Sequence, residues 1–161
     1  MREWREVLLR SLLWLILGGW FGAWVLFAIV VAPTAFRVLP SAAVAGDLVG
    51  SVLGWLHLYG VAAGVILAVL AKLLGRRPWL WILPLLLALV CFTSHFGVTA
   101  AIAEVRPRDF GPSTDGYTAA RFAQLHRLSL GLYTLIGVGV AGLLALHVRA
   151  DVGTLRVVGK G

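Results

Sequence analysis

Three histidines lie inside long apolar stretches of this sequence, where an ionisable side chain is costly and usually has a role. They are His57, His95 and His126. Cys91 precedes His95 by four residues, so both side chains can project from one face of a helix. Imidazole and thiolate ligands suit copper or zinc, and two histidines on facing helices can hold a haem iron. These four residues are therefore candidate ligands for a metal ion or for haem b.

Two other roles are open for the same histidines. With nearby polar side chains they can pass hydrogen bonds through an apolar interior, as a proton or solute path. Alternatively, they hold helices together by hydrogen bonds to hydroxyl groups or backbone carbonyls. The tight spacing of a metal site, such as HxxxH, is absent from the sequence, which favours this structural role and no cofactor. The polar side chains of the candidate path are Tyr59, Ser94, Ser129 and Tyr133.

The composition places these residues in a membrane. Hydrophobic residues make up 60% of the chain and charged residues 13%, whereas about 25% of a soluble domain is charged. A bilayer core about 30 Å thick needs about 20 apolar residues per helix, and the apolar runs predict spans at about 11–32, 48–74, 78–103 and 118–148. A short, weakly ordered basic tail is expected at 149–161. The predicted fold is an all-α integral membrane protein: one domain, residues 1–161, forming an antiparallel up-down four-helix transmembrane bundle.

Proline and glycine positions add local predictions. Pro33 is expected to end the first span, because proline lacks the backbone N–H and clashes with the preceding turn. Pro40 and Ser41 are expected to start a short interfacial helix. Three GxxxG pairs allow helix backbones to approach closely and favour a homo-oligomer. The pairs are Gly18/Gly22, Gly50/Gly54 and Gly60/Gly64.

The distribution of basic residues predicts the partner and the orientation. The net charge is +7, but the basic residues stand at the ends of apolar runs, which is typical of a lipid-anchored protein rather than one that binds nucleic acid. Of the 14 Lys and Arg residues, nine lie with the N-terminus, the hairpin at 75–78 and the tail, and five lie at the opposite ends. A multi-pass inner (plasma) membrane protein with both termini cytoplasmic is expected.

Helix geometry brings the three histidines to one side of the membrane. With a rise of about 1.5 Å per residue, His57 and His95 lie roughly 13 Å from the outer ends of their spans, and His126 about 8 Å. We call His57, His95 and His126 the histidine layer. No Ser-His-Asp triad or carboxylate pair stands inside the spans, so no catalytic residue and no enzymatic activity are predicted. Candidate entrance charges above the layer, or else ordinary helix-end charges, are Glu104, Arg106 and Arg127.

Two motifs carry a resemblance to a known family. Phe122-Ala-Gln-Leu-His126-Arg-Leu-Ser129 resembles the F-x-x-[LY]-H-x-x-S signature in the last span of the bacterial domain-of-unknown-function family 4149. Ala32-Pro33-Thr-Ala-Phe36, followed by Ala45-Gly46, is similar to that family's segment after its first span. That family in turn resembles the eukaryotic transmembrane protein 205 group. The resemblance implies a four-helix membrane bundle without a settled activity.

The sequence departs from the family pattern at two positions. Tyr133 stands where the family tends to have Asn, and His95 stands where a residue such as Gln is common. The eukaryotic relatives are linked to metal-drug resistance, so the resemblance leaves metal handling open. The function we predict is that of an uncharacterised, non-enzymatic four-span inner-membrane protein whose histidine layer is a candidate ligand site. The alternatives are copper or other metal handling, electron transfer through haem, and export of a small solute or a metal.

Overall fold

The computed structural model describes residues 2–105 and 116–158, and the described chain is helical apart from two short connections. Two π-helical segments, Phe27–Val31 and Ser94–Thr99, each join two α-helical stretches without ending the helix. The described residues therefore contain four helices that are long and apolar enough to cross a membrane: Glu3–Val38, Ala42–Leu73, Pro78–Val105 and Gly116–Gly153. We call them the first to fourth spans. The α-helices are α1 (Arg2–Leu26), α2 (Ala32–Val38), α3 (Ala42–Leu73), α4 (Pro78–Thr93), α5 (Ala100–Val105) and α6 (Gly116–Val158).

The predicted all-α membrane bundle is confirmed, but two local predictions were wrong. Pro33 does not end the first helix, because it lies in the first turn of α2, where a proline is tolerated. Pro40 and Ser41 do not start a separate interfacial helix. Ser41 instead caps the second span itself, since its Oγ accepts a hydrogen bond from the backbone N–H of Val44 at 3.2 Å.

The second and third spans are joined by a tight turn. The backbone N–H of Arg76 donates to the carbonyl of Ala71, and that of Gly75 donates to the carbonyl of Lys72, both at 3.0 Å. This is the Schellman pattern, which requires the residue after the helix cap to be left-handed. Gly75 has φ +64°, a conformation that costs glycine little. The turn fixes the antiparallel packing of the two spans.

One apolar core runs through the bundle. The first span packs against the second and fourth spans, and the third span packs against the same two. Each of the first, second and fourth spans contributes side chains at intervals of three or four residues, which line one face of a helix. The buried core consists of Leu13, Leu17, Trp20, Trp24, Ala63, Leu67, Leu70, Cys91, Ile136, Val140 and Leu143.

An ion cluster ties three ends of the bundle together. Asp151 accepts hydrogen bonds from Arg10 at 3.1 Å and from the indole of Trp14 at 3.0 Å, and also from Arg76. The start of the first span, the hairpin and the end of the fourth span therefore lie at the same end of the molecule. This up-down arrangement agrees with the prediction. α6 continues past residue 149 to Val158, and residues 159–161 of the expected tail lie outside the described residues, so its weak order stays a prediction.

The predicted glycine pairs differ in whether their faces are already packed within the chain. A Cβ atom built on Gly60 would lie 2.6 Å from Sγ of Cys91, and one built on Gly64 would lie 2.5 Å from the carbonyl oxygen of Pro84. This pair packs the second span against the third within one chain, which corrects the oligomer contact predicted for it. Gly18 and Gly22 have no such neighbour within 4 Å among the described residues, so their role in an oligomer stays a prediction.

Candidate functional site

His57 and His95 are neighbours on the facing sides of the second and third spans. His57 is 2% exposed, and neither of its ring nitrogens has a hydrogen-bond partner in the described part of the chain. His95 lies in the notch left by Gly54, where a Cβ atom would be 3.4 Å from its Cε1. Gly54 precedes His57 by three residues, so the two share a helix face. His95 therefore lies beside the helix face of the second span that carries His57.

The π-helical segment Ser94–Thr99 gathers unpartnered polar atoms beside His57. Oγ of Ser94, Nδ1 of His95 and Oγ1 of Thr99 are all buried and have no hydrogen-bond partner among the described residues. A buried polar atom without a partner costs about 1–3 kcal/mol. A π-helical turn inside an α-helix is rare and frequently marks a functional site. The segment therefore concentrates hydrogen-bonding capacity that the described chain itself leaves unused.

A groove with a volume of about 950 Å³ opens beside this segment. Its walls come from the first half of the second span and from the end of the third span, and His95 and Thr99 contribute directly to its surface. We call it the polar groove, because hydroxyl, carboxylate and imidazole groups all line it. Its lining residues are Ser41, Ala43, Val44, Asp47, Gly50, Ser51, Gly54, Trp55, Leu58, His95, Thr99 and Ala103.

A smaller cavity of about 220 Å³ lies where all four spans meet. We call it the apolar cavity. Phe36 reaches it from the first span, while Phe122, His126 and Ser129 reach it from the fourth, so residues of both sequence motifs line one space. The remaining lining residues are Ala42, Gly46, Val49, Gly50, Leu53, Thr99 and Ile102.

The histidine layer is thus divided between two places. His126 is exposed and stacks on Phe122 with 6.0 Å between ring centroids, and it lines the apolar cavity rather than the polar groove. Cys91 is fully buried in the core against Gly60. In the described ranges, 2–105 and 116–158, no three His, Cys, Asp or Glu side chains form a group that could hold a metal ion.

The other predicted site residues are also spread over several places. Tyr59 is 40% exposed, and its hydroxyl packs against Gly19 of the first span. Tyr133 stacks on Trp24 and donates a hydrogen bond to its carbonyl. Ser94 is buried in the π-helical segment, and Ser129 lines the apolar cavity. Among the remaining predicted residues, Pro33, Glu104 and Arg127 are exposed. Arg106 lies outside the described residues.

Sequence reasoning missed the two strongest polar contacts between spans. Asp151 is bound by two arginines and an indole, and its position in a basic segment at the end of an apolar run was a usable signal. The Trp24–Tyr133 contact had no comparable signal, because it depends on which way each helix faces.

The chain matches a known protein family. A family model described as "Domain of unknown function (DUF4149)" matches residues 15–109, which is more than half of the chain. The chain belongs to this family. The matched region holds residues 15–38 of the first span and all of the second and third spans, including every residue that lines the polar groove. Comparisons with curated proteins and with solved structures found no match.

Proposed function

We propose that the protein binds a small ligand with hydrogen-bonding groups in the polar groove, without enzymatic activity. The observation that carries this proposal is the presence of buried, unpartnered polar atoms, Nδ1 of His95 and Oγ1 of Thr99, on residues that line a groove of about 950 Å³. Inside a bilayer no lipid can satisfy such atoms. Concave sites with a few convergent polar groups are the usual form of a ligand site.

The two histidines have different parts in this proposal. His95 lines the groove and contacts the ligand. His57 lies one turn beyond Gly54 on the second span, with its ring 5.8 Å from that of Trp24, and in this proposal it positions the imidazole of His95. Of the four ligands predicted for a copper, zinc or haem site, Cys91 is in the core and His126 lines the other cavity, which leaves His57 and His95.

Ser51 offers a direct test, because it is exposed and lines the groove. We expect Ser51→Trp to fill the groove without disturbing the core. The matched control is Ile66→Trp, which adds the same side chain at an exposed position four turns further along the same span. Small molecules extracted from each purified protein are identified by mass spectrometry. A compound retained by the parent and by Ile66→Trp but lost from Ser51→Trp supports the proposal; identical extracts from all three overturn it.

We also propose that the groove faces outwards in the inner membrane, with both termini in the cytoplasm, as the distribution of Lys and Arg favours. Ser41 and Arg77 lie at opposite ends of the bundle and are both exposed. Cys91 is fully buried, so the parent protein gives little background for thiol labelling. In intact cells a membrane-impermeant maleimide should label Ser41→Cys and leave Arg77→Cys unlabelled. The reverse pattern means that the orientation is inverted.

A further inference from the structure

The polar groove and the apolar cavity adjoin each other. Gly50 and Thr99 line both. Gly50 has no side chain and Thr99 has a small one, so the boundary between the two spaces is thin. Oγ1 of Thr99 is buried at this boundary and has no hydrogen-bond partner in the described part of the chain. A molecule that occupied both spaces would therefore pass this hydrogen-bonding group.

We propose that the ligand is an amphiphile whose polar head lies in the polar groove and whose single acyl chain enters the apolar cavity. This inference rests on the proposed function. The cavity walls are mainly aliphatic and aromatic, with Val49, Leu53 and Ile102 opposite Phe122. A water-sized group, which is close in size to a methylene, takes about 30 Å³. The apolar cavity, with a volume of about 220 Å³, therefore accommodates roughly seven such groups. That is room for part of one acyl chain.

The lining residues also restrict the head and its linkage. No Lys or Arg is among the described residues that line either space. Phosphate groups are usually bound by Arg or Lys, so an uncharged head that bears hydroxyl groups fits better than a phosphate. Thr99 at the boundary is placed to donate a hydrogen bond to the ester that joins head and chain. A monoacylglycerol has all of these features.

The test uses a photoreactive 1-decanoylglycerol with a diazirine near the end of its chain. It is added to the full-length protein in detergent, irradiated, and the attachment sites are mapped by mass spectrometry. We expect attachment at Leu53, Ile102 or Phe122, and suppression by excess unlabelled 1-decanoylglycerol but not by methyl decanoate or by glycerol. Attachment only at lipid-facing positions such as Val65 and Val69 would overturn the inference.

Filling each space separately distinguishes this inference from the proposed function. Leu53→Trp fills the apolar cavity from the second span and Ser129→Leu fills it from the fourth, so one can replace the other if a variant fails to fold. Because each variant displaces the acyl chain from the cavity, we expect both to lower attachment at least about tenfold, and Ile66→Trp to leave it unchanged. If the compound that co-purifies with the parent is lost from Ser51→Trp but kept by both cavity variants, the groove binds a ligand that has no chain in the cavity.

Discussion

Trp24 and Tyr133 each donate a side-chain hydrogen bond to the backbone of the other. Nε1 of Trp24 donates to the carbonyl of Tyr133 at 3.0 Å, and the hydroxyl of Tyr133 donates to the carbonyl of Trp24. The two rings are stacked with 4.7 Å between their centroids. Trp24 also lies beside His57. This contact therefore joins the first span to the fourth and forms part of the wall behind the two histidines.

We expect Tyr133→Phe to lower the free energy of unfolding by about 1 kcal/mol, the net value of one hydrogen bond between helices. The stacked ring is kept, so the change isolates the hydroxyl. The measurement is unfolding in a mixed-micelle denaturant titration. The control is Thr134→Val, because the exposed Thr134 donates its hydroxyl to the carbonyl of Leu130 in its own helix, at 2.9 Å. Equal effects of the two substitutions contradict an interhelical role for Tyr133.

Asp151 should contribute more to stability than any exposed acid. The Arg76 side chain is 7% exposed, and the side chain of Asp151 is 19% exposed. Asp151→Asn leaves the buried Arg76 charge without its counter-charge, and breaking such a pair typically costs about 3–5 kcal/mol when it is fully buried. Because this pair is partly exposed, we expect a loss of about 2–3 kcal/mol in the same titration.

The matched control for Asp151 is Glu6→Gln. Glu6 pairs with the same Arg10 at 2.6 Å, but its side chain is 57% exposed. An exposed ion pair within one helix contributes less than about 0.5 kcal/mol. High salt should reduce the effect of the Glu6 substitution further, since exposed charges are screened. If Asp151→Asn unfolds no more easily than Glu6→Gln, the ion cluster is not the contact that holds the three ends together.

Gly60 and Gly64 should tolerate no added methyl group. Gly64→Ala would bring a Cβ atom to 2.5 Å from the backbone oxygen of Pro84, which cannot move without displacing the helix. We expect a loss of about 1–3 kcal/mol, as for other overpacked sites. Gly60→Ala clashes mainly with Sγ of Cys91, at 2.6 Å, so Cys91→Ala in the same chain should restore part of its stability.

An exposed glycine provides the control for this pair. Gly22 has nothing within 4 Å of its Cβ position among the described residues, and alanine is the better helix former. Gly22→Ala should therefore leave the stability of the monomer unchanged or raise it slightly. A loss at Gly22 as large as that at Gly64 would show instead that Gly22 packs against a second chain, which cross-linking in membranes can test.

The fold was predictable because a bilayer restricts what a chain can do. Spans must be long, apolar and helical, since every backbone polar group needs a partner within the helix. Composition and run length therefore predicted four spans. The ends of the spans were less predictable. Pro33 was expected to end a helix, but the π-helical segment before it places this proline in the first turn of a new stretch.

The site was only partly predictable because it depends on which way each helix faces. His57 and His95 were expected at similar depth, and His95 lies against Gly54, one turn before His57 on the second span. His126 was expected with them, but the fourth span presents it to a separate cavity. Successive helical residues differ by about 100°, and the π-helical segment at Ser94–Thr99 shifts that phase next to His95. Periodicity in the sequence cannot show such a shift.

His57 gives the sharpest test of whether buried polar atoms in this bundle are there for stability or for binding. Both of its ring nitrogens are buried without a partner among the described residues. Replacing an unsatisfied polar group by an apolar group of similar size can be neutral or stabilising. In ligand-stripped protein we therefore expect His57→Leu to leave the free energy of unfolding unchanged or raise it by up to about 1 kcal/mol.

The companion substitution is His57→Ala, which removes the same nitrogens but also leaves a cavity. Large-to-small changes in a core cost about 2–5 kcal/mol, so His57→Ala should be less stable than His57→Leu by at least about 2 kcal/mol. Equal, large losses in both variants would mean that the imidazole itself makes stabilising hydrogen bonds, and His57 would then be a structural residue. A stable His57→Leu protein that has lost its co-purified ligand assigns the imidazole to binding.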